Sequence, residues 1–495
     1  MLTSEKKQLK WMQISDIGTV ACLFQQIEVL ILGAFVSCLS FPPLFQSDIL
    51  MHAKFFKVAI SSIQVVGIFG LCCLFQMPVN LFAQVSFEEA PINYNKEKPE
   101  NLITRLQKKL NKGQITLEYE RDKGNGYLAA VLKSLEIPVS SQVLVFSKTS
   151  LQVRHIDPQS PRALYFNDDL YIGYVQGGPV LEVSASDAKL GTVFYTLDQT
   201  QSAKPTFVRK TFECTQCHAS SLTQGVPGHI MRSVYPGPDG MPVYREGTYR
   251  SDQSSPFEER WGGWYVSGTH GKMRHMGNMI FRKGDSSVNL NREPGANVVD
   301  LEKWIDTDAY LGQHSDIVSL MVLEHQTKMH NLIARAQFEG RITVRDAEVM
   351  NKMLERKASF QSDSTKRRFE SSANRLVDHM LFTDELVLKD RIRGVSSFQT
   401  DFPLSGPRDL LGRSLRDFDL EKRLFKYPCS FLIYSESFDA LPQPILDFVY
   451  QRLWKILSGK GDPKKYAHLS AEDRLAIQQI LIETKPKLPD YWKVQ

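Results

Sequence analysis

Cysteine is scarce in this chain, at seven in 495 residues. Cys22, Cys38, Cys72 and Cys73 lie near the N-terminus, which leaves Cys214, Cys217 and Cys429 for the rest. That is too few for a disulfide framework. A second C-x-x-C pair, which a zinc ribbon would need, is missing. Charge of one sign is not in excess either: 60 Lys and Arg against 55 Asp and Glu give a net +5. Such a balance gives no basis for nucleic acid or an acidic partner. There is no internal repeat and no low-complexity tract, so solenoids and repeat arrays are excluded.

Against this background one pentapeptide stands out, Cys214-Thr215-Gln216-Cys217-His218. C-x-x-C-H is the signature of covalent haem attachment: two thiols become thioethers on the haem vinyl groups, and the adjacent imidazole is held under the ring as an axial ligand to iron. The alternatives are a thioredoxin-type dithiol and a zinc site. The first expects an aromatic before the leading Cys, and here Glu213 stands there. The second needs more ligands, and Cys429 sits in an apolar run from Tyr427 to Tyr434, where it reads as a buried small residue.

At this motif the sequence resembles the c-type cytochromes. The resemblance implies one covalent haem c bound by Cys214, Cys217 and His218, with His218 as the proximal iron ligand. It implies redox partner proteins as well. Three further stretches are similar to large exported bacterial proteins described only as containing a cytochrome c domain: Tyr165-Phe166-Asn167-Asp168-Asp169, the run from Ser255 to Trp264, and Arg416-Asp417-Phe418-Asp419.

Covalent haem attachment normally takes place outside the bacterial cytoplasm, so an export signal is expected. Residues 1–83 supply one. A first apolar stretch runs from Val29 to Phe45, ending at Pro42-Pro43, and a second runs from Val58 to Phe82 after Lys54 and Lys57. The second has signal-peptide form, with Ala83 before the cut. Met51 just ahead of it suggests the true start, with residues 1–50 an upstream extension. The rival reading is an uncleaved anchor that holds the protein to the membrane, facing the periplasm. Leu71 before Cys72 does not fit a lipoprotein signal.

Beyond the signal about 410 residues remain, enough for two or three packed units. The expected fold class is α+β. Residues 84–200 form a mixed α+β domain, opening with a linker at 84–100 and short helices at Asn101–Leu110 and Tyr127–Leu135. Strands follow at Gln142–Phe146, Ala163–Phe166, Leu170–Val175, Val180–Val183 and Val193–Leu197, in a mainly antiparallel sheet. Residues 201–300 are the haem region, rich in Gly, Pro and aromatics. Residues 301–495 are a mainly helical domain, with segments near 314–338, 343–358, 364–392 and 442–458 and a last helix capped at Ser470.

The proximal imidazole should donate its second ring nitrogen to a carbonyl. The Val226-Pro227-Gly228 turn is the candidate, because it resembles the Gly-Pro turn after the motif in cytochromes c, where a proline carbonyl plays this part. For the distal position the candidates cluster between Gly268 and Met279. Met276, His275 and His270 are the distal ligand candidates; Met276 lies 58 residues after His218, a separation similar to that of the distal Met in many cytochromes c. His229 is either a neighbour of the iron site or a turn residue. On the helix from His314, Met321, His325, Met329 and Leu332 share one stripe, so His325 is expected to be a hydrogen-bonded core residue, with His325 or Met329 a second choice as distal ligand. His330 lies well round the helix axis from His325 and does not chelate with it.

Three functions are open. The first is an exported c-type cytochrome that transfers electrons in the periplasm. The second is a haem-dependent peroxidase or oxidoreductase, suggested by the size of the chain, with Arg274, His275 and Glu259 as the catalytic candidates that would assist O–O cleavage. The third is a haem-based sensor or scaffold.

Overall fold

A computed structural model of the chain describes residues 86–121 and 124–493. Residues 1–83, where an export signal or membrane anchor is expected, lie outside the described residues. Among the described residues no helix is long and apolar enough to cross a membrane.

The chain enters through residues 86–100, which do not form the free linker expected of them. Phe87, Ile92 and Tyr94 are buried, and the Tyr94 hydroxyl donates to the Thr192 carbonyl at 2.8 Å. Three apolar side chains within a polar stretch suffice to pin it. Helix α1 (Leu102–Asn111) follows, capped by Asn101, whose side chain accepts from the amides of Ile103 and Thr104. Helix α2 is Leu128–Ser134.

Strands β1 (Val143–Val145), β2 (Arg162–Phe166), β3 (Leu170–Tyr174), β4 (Val180–Asp187), β5 (Gly191–Asp198) and β6 (Phe207–Lys210) form one antiparallel sheet in sequential order. Alternation along these strands divides the apolar residues between two cores. Leu144, Tyr165 and Ile172 face one core together with α1 and α2, whereas Val143, Val145, Phe166 and Tyr171 face the other. The fold class is α+β, as the periodicities require. β6 is an addition, since its run is short and broken by charge.

Residues 201–300, the expected haem region, hold helix α3 (Phe212–His218), then short 3-10 turns and a two-stranded ribbon, β7 (Arg232–Val234) with β8 (Thr248–Arg250). Few regular elements form where glycine, proline and aromatics dominate.

Helix α4 (Ile317–Met353) is one continuous element where two segments were expected. The apparent break falls at Gly340, where a side chain would meet Pro442 and Ile445 at 2.9 Å. Close packing there offsets the roughly 1 kcal/mol that glycine costs a helix. Helix α5 (Asp363–Met380) ends well short of residue 392, because Phe382 turns to a left-handed φ of 57° and lays its ring flat on His325 at 4.3 Å. Helices α6 (Phe398–Leu404), α7 (Glu436–Asp439), α8 (Gln443–Lys455) and α9 (Ala471–Thr484) complete the second core. The sheet, the segment from 201 to 300 and the helices share these cores, and the described residues hold together as one compact unit.

Two caps differ sharply in what they support. Ser470 caps α9 near the surface in a reciprocal capping box with Asp473. Asp316 caps α4 while wholly buried: it accepts from the amides of Val318 and Ser319, and also from those of Val395 and Ser396 at 2.8 Å. Removing the first should cost about 1 kcal/mol. Removing the second strands several buried donors and should cost about 3 kcal/mol or more. Urea unfolding of Ser470→Ala and Asp316→Ala checks the order; equal losses would show that the Asp316 contacts carry no special weight.

Candidate functional site

Helix α3 leaves the end of β6 and makes two turns. Cys214 and Cys217 stand three apart, and His218 lies four from Cys214, so all three occupy one helical face. Cys217 is exposed, Cys214 and His218 are half-buried, and both thiols are free. Phe212, one turn earlier, is 70% exposed.

After His218 the chain reverses. Ser220 caps a single 3-10 turn, and Gln224 and Gly225 take left-handed φ of 64° and 76°. The reversal brings Gly228 back onto His218 with reciprocal bonds: the Gly228 amide donates to the His218 carbonyl at 2.8 Å, and His218 Nδ1 lies 2.9 Å from the Gly228 carbonyl. A carbonyl can only accept, so Nδ1 carries the proton and Nε2 keeps its lone pair. Nε2 has no hydrogen-bond partner among the described residues. The carbonyl comes from the Val226-Pro227-Gly228 turn, as anticipated. The carbonyl that the resemblance implied, Pro227's own, is not the one used: it accepts from the Thr192 amide at 3.1 Å.

Sheet and helix hold this turn from two sides. Gly191, at the head of β5, has a φ of 68°, and a side chain there would meet Ala334 at 2.9 Å and the Pro227 carbonyl at 3.2 Å. From α4, Asn331 grips the next peptide: its Oδ1 accepts from the His229 amide at 2.8 Å and its Nδ2 donates to the His229 carbonyl at 2.7 Å. Gly228 must be glycine, since a side chain there would lie 2.1 Å from Asn331 Oδ1.

The His229 ring is not a free ligand. Its Nε2 meets Ser184 Oγ at 2.9 Å and its Nδ1 meets Thr192 Oγ1 at 3.4 Å. It packs 4.1 Å from the Tyr171 ring. His330 stands beyond it, bonded to Ser186 Oγ at 3.1 Å and to the Asp168 carbonyl at 2.7 Å. Phe194 packs 5.0 Å from the His218 ring.

Electrostatics at Cys214 run against a reactive thiol. Reactive cysteines have depressed pKa values. Burial, with Glu182 and Glu213 nearby, instead pushes the Cys214 thiol up to about 11. Burial lowers the pKa of His218, which keeps the ring neutral, and Arg162 and Glu182 act on it with opposite sign. Among the described residues no group of three or more His, Cys, Asp or Glu side chains could hold a metal ion. An attached haem needs only two thiols and one imidazole, and α3 supplies that set. Cys429 is fully buried and its thiol is pushed up to about 12, the inert core residue expected of it.

The distal candidates lie elsewhere in the interior. His270 and His275 pack on each other at 4.7 Å and against Phe257. Each uses one ring nitrogen, His270 Nε2 on the Asn297 amide and His275 Nδ1 on the Gly277 amide, both at 3.0 Å; His270 Nδ1 and His275 Nε2 are buried without a partner. Met276 joins Tyr235 and Phe281 in a small cluster, its sulfur 3.8 Å from Ser233 Oγ. Arg274 forms a surface ion pair with Glu293 at 2.7 Å, and Glu259 is half-buried in a 3-10 turn. Among the described residues no hydrogen bond, ion pair or ring contact joins any of these five to His218. His325 is a hydrogen-bonded core residue, held by Gln253 at 2.5 Å and Ser430 at 2.8 Å, and Met329 is fully buried.

No protein-family model, no curated protein and no solved structure matches the chain.

Residues that the sequence reading missed are Asn331, Ser184, Thr192 and Phe194. None of the four is marked by periodicity: Asn331 lies off the stripe of Met321, His325, Met329 and Leu332 on α4.

The interior histidines set an acid sensitivity. His379 stacks on His325 at 5.2 Å, with Lys328 and Asp252 the nearest charges, and burial lowers its pKa to about 4. The unfolded chain takes up this proton below about 6.5, whereas the folded chain does so only near 4. Stability is therefore lost as pH falls through that window, at up to about 1.4 kcal/mol per pH unit. Urea unfolding at pH 7, 6 and 5 should show a shallower loss for His379→Gln than for the parent chain. Parallel losses would mean that His379 is already charged in the fold.

Proposed function

We propose that this chain is an exported c-type cytochrome carrying one covalent haem and passing single electrons between periplasmic redox partners. The observation that carries the reading is the His218 imidazole, fixed through Nδ1 to the Gly228 carbonyl, with Nε2 unengaged and two free thiols on the same helical face. When bound, the haem supplies one-electron iron chemistry.

The chain's own residues do the rest. Cys214 and Cys217 tether. His218 ligates, and the Gly228 carbonyl fixes its tautomer and raises its basicity. Gly191, Thr192 and Asn331 keep that carbonyl in place from sheet and helix. Rigidity of this kind suits electron transfer, because a ligand that does not move costs little reorganisation.

A second reading, a haem that binds a small ligand as a sensor does, is favoured by one observation: Met276, His275 and His270 are packed into the interior, at 0–3% exposure. A distal ligand from that set would have to leave its present partners. The peroxidase reading has no comparable support, since Arg274 is committed to Glu293 at the surface.

A pyridine haemochrome assay on protein made in a host with cytochrome maturation machinery tests the proposal. The expected result is one c-type haem per chain, lost in Cys214→Ser/Cys217→Ser. Colourless protein with both thiols free to alkylate would end it. Carbon monoxide then separates the two readings: rapid binding to ferrous protein favours the sensor, and a spectrum unmoved by the gas favours the electron carrier.

A further inference from the structure

A second site lies away from α3. Between α1, the β2–β3 turn and α6 is a cavity of about 640 Å³, within the range of roughly 300–1,000 Å³ typical of small-molecule sites. We propose that it binds a small, neutral hydroxyaromatic electron donor of the hydroquinone class, which delivers electrons toward His218. The donor role rests on the haem reading above; the binding site does not.

The walls suit a flat ring. Phe166, Phe398 and Phe402 line the cavity in succession, with centroids 5.7 and 5.2 Å apart, and Leu102 and Leu106 face them from α1. Aromatic rings at such spacing accept a further ring by offset or edge contact.

The polar groups suit hydroxyls. Gln326 lines the cavity and is fully buried; its Nε2 donates to the Asn167 carbonyl at 2.7 Å and to the Tyr171 hydroxyl at 2.8 Å, while its Oε1 has no partner. Arg416 is clamped between Phe402 and Phe431 and paired with Asp168, yet its Nε has no partner either. An unmet acceptor and an unmet donor, both buried and both on residues of the wall, are costly unless a ligand or water answers them. The Asp169 carboxyl lines the same space, and no hydrogen bond to it is made by the described residues.

Charge decides the ligand class. Arg105, Lys109 and Arg416 stand against Glu136, Asp168, Asp169 and Asp401. Most are already answered: Arg105 by Glu436, Asp168 by Arg416, Asp401 by Ser140 and Ser397. Burial, with Asp168 and Glu436 close by and Arg105 and Arg416 opposing, pushes Asp169 up to about 7. A near-neutral cavity with one adaptable carboxyl favours a neutral ligand with O–H groups over an anion or a polycation.

A path of rings leads from this cavity to the haem motif. Phe166 stacks with Tyr171 at 6.2 Å and 21°, and Tyr171 meets His229 at 4.1 Å. His229 directly follows Gly228, whose carbonyl holds His218 Nδ1. Oxidation of a hydroquinone to a quinone breaks two O–H bonds and releases two protons and two electrons. Asp169 takes each proton in turn and passes it to solvent. With a haem held by Cys214, Cys217 and His218, which would supply the one-electron acceptor, the two electrons would leave singly along the rings toward His218 and pass on to the redox partner, the terminal oxidant.

Binding is tested first on the full-length Cys214→Ser/Cys217→Ser chain, which cannot attach haem. Anaerobic calorimetry with 1,4-dihydroxynaphthalene should show saturable binding, roughly tenfold tighter than that of 1,4-dimethoxynaphthalene, which has the same rings but no O–H. Asp169→Asn should narrow that difference, and Ser405→Trp, at an exposed position on the rim, should abolish binding. Equal affinity for both probes, or binding indifferent to Ser405→Trp, would overturn the site. In haem-bearing protein, reduction of the haem band by the hydroxyl probe should slow at least tenfold with Ser405→Trp; an unchanged rate would overturn the donor role. A chain that binds the probe but never acquires haem would overturn the haem reading and leave the cavity assignment standing.

Discussion

Helix α4 is enclosed on nearly every side from Ile317 to Phe338, about six turns, and yet it carries polar side chains throughout that length. A buried polar group without a partner costs about 1–3 kcal/mol. Thr327 is answered within the helix, by the Glu324 carbonyl at 3.2 Å, but most of the others reach a partner outside it. Arg260 meets Glu324 at 3.0 Å, Gln253 and Ser430 meet His325, the Asn167 carbonyl and Tyr171 meet Gln326, and the Asp168 carbonyl meets His330. Asn331 reaches His229. The segments that would otherwise be loose coil around the haem motif are stitched to one rod by this requirement.

The consequence for the site follows directly. The residues after α3 have almost no regular structure of their own, so the position of Gly228 is set by neighbours. Asn331 fixes the peptide on one side, and Gly191 with Thr192 fix it on the other. A single carbonyl is thereby aimed at one ring nitrogen. Most of the chain is distant from the pentapeptide, but through the sheet and α4 it acts on the same few atoms.

Much of this was legible in the sequence, and the reasons differ by level. Strand positions follow from period-2 alternation, so that Tyr165 and Phe166, neighbours in sequence, were bound to serve opposite cores. The cap at Ser470 is local chemistry and is read locally, whereas Asn101, expected as the first residue of its helix, proves to be its cap. The turn that serves His218 was legible through its resemblance to cytochromes c, but the carbonyl is that of Gly228, ten residues on, because Pro227's is taken by the Thr192 amide. The errors share another cause. Gly340 reads as a break until its packing against Pro442 and Ile445 is known, and Phe382 gives no sign of the left-handed turn that ends α5. Asn331 and His229 are 102 residues apart, and the cavity draws on segments from Leu102 to Arg416. Periodicity reports which face a residue occupies, not which distant face it meets.

The surroundings of His218 also bear on what a metal there would feel. Burial keeps the neighbouring His229 and His330 neutral, with His330 lowered to about 4. The charges noted at His218 are Arg162 and Glu182, paired at 2.6 Å and half-buried, and their fields oppose each other at the ring. A site of this kind offers little net charge to stabilise an added positive one. On the proposed reading, it would disfavour the more highly charged ferric state relative to a solvent-exposed imidazole and draw the potential upward, by burial rather than by a local ion. If both proposals hold, donor oxidation would gain driving force from the same packing that fixes the His218 ring. The ion pair is the lever that would spoil it: removing either member leaves the other's charge unopposed beside the ring, with Arg162 raising and Glu182 lowering the potential according to which one remains.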